Sequence, residues 1–204
     1  MKEAVVIVDE LRGFFPATPE FPETEGFGEL PLDGAHDIIS PSNLVIDFAS
    51  GNKIPVYDVR EFHQDDSPHF ADWKKHCVRN TKGASPHPRL QLPENIVVFH
   101  KKEPNLGEAD LSYSAFFSLE STSQQPMPEY LRDRSIGKLT LLGLAIDHCV
   151  GKSALDFARH GFEVSVLSDA TKPITEAGGE EMKKLLIANH VSLITSTEFI
   201  NNQG

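Results

Sequence analysis

Leu139-Thr140-Leu141-Leu142-Gly143-Leu144-Ala145-Ile146-Asp147-His148-Cys149-Val150 runs from an apolar stretch into a polar turn, and Ser153-Ala154-Leu155-Asp156-Phe157-Ala158 then repeats its apolar residues at helical spacing. The first part reads as a buried strand and the last as a helix. Cys149 therefore falls at a strand-to-helix turn. Unpaired N–H groups and the dipole at a helix N-terminus favour a thiolate, the form of cysteine that attacks carbonyl carbon, and such a turn can also receive an oxyanion. The competing reading is a small buried hydrophobe. What decides between them is whether other reactive residues gather at the same place.

Working outward, short apolar runs recur at 4–8, 54–59, 96–99, 139–142, 164–167 and 191–194. Helical periodicity lies between them at 35–50, 149–160 and 176–189, with a shorter piece at 128–133. This alternation predicts an α/β three-layer sandwich, a mostly parallel six-stranded sheet with helices on both faces. Gly51, Gly161 and Asn189-His190 read as helix ends, and 13–33, 63–93 and 102–127 as long irregular segments, which in a compact domain either shape a site or are disordered. Ligands of open α/β sheets bind beyond the carboxyl ends of the strands. Asp9, Glu61 and His63, Lys101 and Cys149 each come just after an apolar run, so four strand ends bring reactive groups to one edge.

At 204 residues and 39% hydrophobic, the chain predicts a single domain over 1–204. A net charge of −11, with 19 Lys and Arg against 30 acids, argues against a nucleic-acid partner and suits a neutral or cationic small molecule. The N-terminal apolar run of five, Ala4 to Val8, is too short for a signal core or membrane span, which predicts a soluble cytoplasmic protein. Cys77 and Cys149 are expected as reduced thiols.

Asp9 is the first carboxylate after a buried strand and would serve as general base to Cys149, or else as a helix cap. Lys101 would hold Asp9 ionised, although the adjacent Lys102 leaves that choice open by one position. Glu61-Phe62-His63 puts a carboxylate and an imidazole on one face of an extended segment, and His69 and His76 follow. These four can hold a divalent metal with an open position; zinc, iron and manganese all suit them, and Cys77 reads as a neighbour of the group.

Asp9 with Phe14, Glu61-Phe62-His63 with His69, Trp73-x-x-His76-Cys77-Val78, Thr81-x-Gly83-Ala84, Lys101, Tyr113-Ser114-Ala115-Phe116 and the 143–150 stretch together resemble the nicotinamidase branch of the isochorismatase-like cysteine hydrolases. The resemblance implies a doubly wound fold and an Asp9–Lys101–Cys149 triad. It implies a metal, zinc being favoured, on Glu61, His63 and His76 with His69 as further ligand. Phe14 and Trp73 would sandwich a nicotinamide ring, Leu144 and Ala145 would line its pocket, and the N–H groups of Ala145 and Cys149 would form the oxyanion hole. A cis Leu144–Ala145 peptide is also implied, while the segments 13–33 and 102–127 are open either to covering the site or to packing against a second subunit in a homo-oligomer. The chain departs from the family pattern in several places: Glu61-Phe62-His63 replaces Asp-Trp-His, Leu11 and Gly13 replace a Gln and an acid, Ile146 a Thr, and Lys102 a Gly. The alternatives are a sister hydrolase of another amide or carbamoyl compound, and a metal-binding regulatory domain with a decayed site.

Overall fold

The computed structural model describes residues 1–103 and 113–203. Strand β1 (Lys2–Val8) is fully buried from Ala4 onward, as an uninterrupted apolar run demands of a strand covered on both faces. It pairs in parallel with β2 (Val56–Arg60) on one side, and β2 pairs with β3 (Val97–His100). On its other side β1 meets β5 (Ile136–Leu144), followed by β6 (Glu163–Lys172) and β7 (Ser192–Ile194), all parallel. The seventh strand, β4 (Leu119–Glu120), is an antiparallel edge beyond β3, which gives the order β4-β3-β2-β1-β5-β6-β7. The six strands expected are thus present and parallel. The seventh is too short to show a pattern of its own.

Alternate residues of β1 feed opposite cores. Val6 and Val8, with Leu139 and Leu141, pack among side chains of α2 (Met127–Asp133), α3 (Cys149–Arg159) and α4 (Glu176–Ala188). Val5 and Ile7, with Leu142 and Leu144, pack among those of α1 (Ile39–Gly51) and α5 (Ser196–Asn201). The helix expected from Ala35 is a 3₁₀ turn over Ala35–Ile38 before α1 proper begins. Gly161 and His190 adopt the left-handed conformation expected at helix ends, whereas Gly51 stays helical and Lys53 makes that turn, at φ 59°. Of the segment 102–127, residues 104–112 lie outside the described residues.

The chain turns one way from β1 to β2 and the other way to β5, so the crevice between the ends of β1 and β5 is the topological switch point. Gly143 makes the close approach possible there. It pairs with Val8 at φ 115°, and a Cβ in its place would lie 2.0 Å from the Val8 carbonyl oxygen. One residue further on, the Leu144–Ala145 peptide is cis, as the resemblance implies.

Candidate active site

Asp9 leaves β1 in the left-handed region, which Asp tolerates better than most residues, at φ 54°. Its Oδ1 accepts the backbone N–H of Glu61 at 2.7 Å, and its Oδ2 is paired with the Lys101 ammonium. Both side chains are buried, while Lys102 is exposed, so the geometry selects Lys101 for this contact. Cys149, 6% exposed, begins α3 with its Sγ 3.5 Å from Glu61 Oε1. One carboxylate oxygen each of Asp9 and Glu61 and the thiol sulfur all lie within 4.8 Å of one another. Lys101 Nζ also stands 3.6 Å from Glu61 Oε1.

Charge in this dry cluster is set by burial and neighbours. Burial raises Asp9 to about 6, with Lys101 opposing and Glu61 adding to the rise. Burial also disfavours an ionised Glu61, but Lys101 and the imidazoles of His63 and His76 outweigh it and hold that carboxyl well below its usual range. Lys101 is held above its ordinary value against burial by Asp9, Cys149 and Glu61. The thiolate expected at Cys149 is not the resting form. Burial, then Asp9 and Glu61, push its thiol well above the ordinary value despite Lys101, because the helix end lies in a pocket with two carboxylates.

Glu61 also joins this cluster to the imidazoles. Its Oε2 lies 3.0 Å from His76 Nε2 and 3.3 Å from His63 Nε2, and single ligand atoms of Glu61, His63, His69 and His76 fall within 4.8 Å of one another. His76 Nδ1 faces the Lys74 carbonyl at 2.6 Å and His63 Nδ1 faces the Glu103 carboxylate at 3.3 Å. Both partners only accept, so each Nδ1 carries the proton; each Nε2 then donates to Glu61 in a charged ring and turns a lone pair toward it in a neutral one, where a cation is needed between them. A cation among them satisfies all three groups. Four buried N and O donors of this kind fit one divalent metal ion.

A pocket opens over the cluster, lined by Phe14, Trp73, Leu144 and Ala145 together with Glu61, His69, His76 and Cys149. Sequence reasoning missed five further walls: Leu30, Leu32, Tyr113, His148 and Ile174. Tyr113 and His148 sit inside recognisable motifs, and the Tyr113 hydroxyl accepts the Trp73 indole N–H at 2.7 Å. Ile174 is brought in by Asp147, whose carboxylate accepts the backbone N–H groups of Ile174 and Thr175 at 2.8 and 3.1 Å. Leu30 and Leu32 come from the irregular stretch after Gly13, stitched back by Leu30 N–H to Gly13 carbonyl at 2.8 Å and Leu32 N–H to Phe14 carbonyl at 2.9 Å.

A thiol, a carboxylate and an ammonium gathered at the switch point of a doubly wound sheet form an arrangement suited to hydrolysis by a cysteine nucleophile. Residues 3–198 match the Isochorismatase domain family, and the chain belongs to it. It is 31% identical to the nicotinamidase of Acinetobacter baylyi (strain ATCC 33305 / BD413 / ADP1) over 97% of this chain and 94% of that one. With the nicotinamidase of Escherichia coli (strain K12) it shares 29% identity over 72% of this chain and 76% of the relative. The pyrazinamidase of Pyrococcus horikoshii, solved in complex with zinc, is 27% identical with a TM-score of 0.78, over 96% of this chain and 99% of that one.

Proposed function

We propose that the chain is a nicotinamidase, hydrolysing nicotinamide to nicotinate and ammonia through a thioester on Cys149. The observation that carries this reading is the single buried cluster in which Asp9, Lys101 and Cys149 share Glu61 with three imidazoles, under a pocket with aromatic walls. Its support from kinship is the nearly full-length relation to a nicotinamidase. Residues 1–204 are taken as one hydrolase domain acting in the cytoplasm on a small neutral molecule, with neither nucleic acid nor membrane as partner.

Glu61, His63, His69 and His76 would hold the metal, zinc being favoured because a structural relative was solved with it. When bound, such an ion supplies a Lewis-acid contact for the pyridine nitrogen. Phe14 and Trp73 orient the ring, and Leu144 and Ala145 close the pocket so that the carboxamide carbon meets Cys149. Asp9, kept near the thiol by Lys101 and the Glu61 N–H, takes the Sγ proton as sulfur bonds to the carboxamide carbon. The N–H groups of Ala145 and Cys149 receive the oxyanion. The C–N bond then breaks, and Asp9 returns its proton to the departing nitrogen, which leaves as ammonia. Water attacks the thioester and gives a proton to Asp9. The C–S bond breaks, and that proton restores the thiol. A thiol neutral at rest suits this scheme, since the base acts during attack.

The test is ammonia release from nicotinamide by the purified protein, with and without a chelator and in Cys149→Ala. Release by the metal-loaded protein, lost in both other samples, is the expected result. Substantial release by Cys149→Ala would overturn the thioester, and none from the loaded protein would overturn the substrate.

A further inference from the structure

Glu103 lies two residues beyond Lys101, and its carboxylate turns back onto the loop that follows β2. Its Oε2 accepts from His63 Nδ1 at 3.3 Å and from the Ser67 hydroxyl at 2.5 Å. Its Oε1 accepts the backbone N–H of Gln64 and faces the Arg79 guanidinium at 3.8 Å. Ser67 in turn caps the 3₁₀ turn Pro68–Ala71, its Oγ accepting the His69 N–H at 3.3 Å. One side chain, 16% exposed, therefore holds the ring of His63, the backbone beside it and the turn bearing His69.

We propose that Glu103 is a positioning residue for the metal group: by accepting the His63 Nδ1 proton and anchoring Ser67, it aims His63 Nε2 and fixes the approach of His69. The inference rests on the metal reading above. An imidazole ligand is oriented and made more basic by a carboxylate on its other nitrogen, and loss of such a partner typically weakens metal binding by about 10–100-fold. Glu103 also follows Lys101 on the same stretch of chain, which thus carries both the clamp on the imidazoles and the cation beside Asp9.

The test is zinc affinity, measured by competition with a chromophoric chelator, and the visible spectrum of the cobalt-loaded protein, for the unaltered chain, Glu103→Ala, Glu103→Gln and Ser67→Ala. Expected are a loss of about 10–100-fold in Glu103→Ala with an altered cobalt spectrum, and smaller losses in Glu103→Gln, whose amide oxygen still accepts, and in Ser67→Ala. Should Glu103→Ala fail to fold, the two milder variants decide. Variants that fold and match the unaltered chain in zinc affinity and cobalt spectrum overturn the role of Glu103 and leave the metal reading standing. An unaltered chain that takes up no zinc overturns both.

Discussion

Asp9 and Glu10 are adjacent buried carboxyl groups with different partners. Asp9 has Lys101 beside it, whereas Glu10 has the Ser42 hydroxyl at 2.6 Å on Oε1 and an Oε2 without a partner. Burial raises Glu10 from 4.5 to about 8 against the opposing Ser42 bond, with Asp58 adding to the rise. Because the folded value lies above the unfolded one, its contribution to stability is full below pH 4.5 and is lost as pH rises to about 8. At pH 7 the loss amounts to roughly 3 kcal/mol, at about 1.4 kcal/mol per pH unit. Glu10→Gln should flatten this slope and be the more stable protein at pH 8; urea unfolding at pH 5 and pH 8 checks it, and parallel pH dependence in both proteins would contradict the neutral Glu10. Asp9 was legible in the sequence because it ends an apolar strand. Glu103 was not, because its partners meet it only when the loop after β2 folds back, and the charge state of Cys149 was misread because a helix end reveals its dipole in sequence but not its burial.

Among the elements, the junction of β1 and β5 bears the tightest constraint. Gly143→Ala would drive a methyl group against the Val8 carbonyl and force a left-handed φ on a residue with a side chain. It should destabilise the fold by upward of about 3 kcal/mol and displace the turn carrying Cys149; thermal unfolding and solubility measure this, and a variant with unchanged midpoint and activity would show that the strands can separate there. The six parallel strands were readable because strands buried on both faces must be apolar throughout. β4 has two residues and no such run. The short α5 did leave a signal, the Thr195-x-x-Glu198 capping box, whose two reciprocal bonds are formed. Its six residues were too few for a helical period to stand out.

At the scale of the molecule, the charge of −11 sets up a field to which neutral nicotinamide is indifferent. kcat/KM for nicotinamide should therefore stay constant between low and physiological ionic strength; a steep fall or rise would mean that salt acts on the site itself and would contradict this indifference. No described helix is long and apolar enough to cross a membrane. Asp9, Lys101 and Cys149 sit just past strand ends and at the head of a helix, where the sheet dictates their places. Leu30 and Leu32 instead belong to a loop sewn on by backbone hydrogen bonds, by the buried Phe27 and Leu32, and by the Glu29 carboxylate, which accepts the Cys77 N–H at 2.7 Å. In inheritance the two parts have separate addresses: a change at Leu30 or Leu32 alters a wall of the pocket while the codons of Asp9, Lys101 and Cys149 are passed on unaltered.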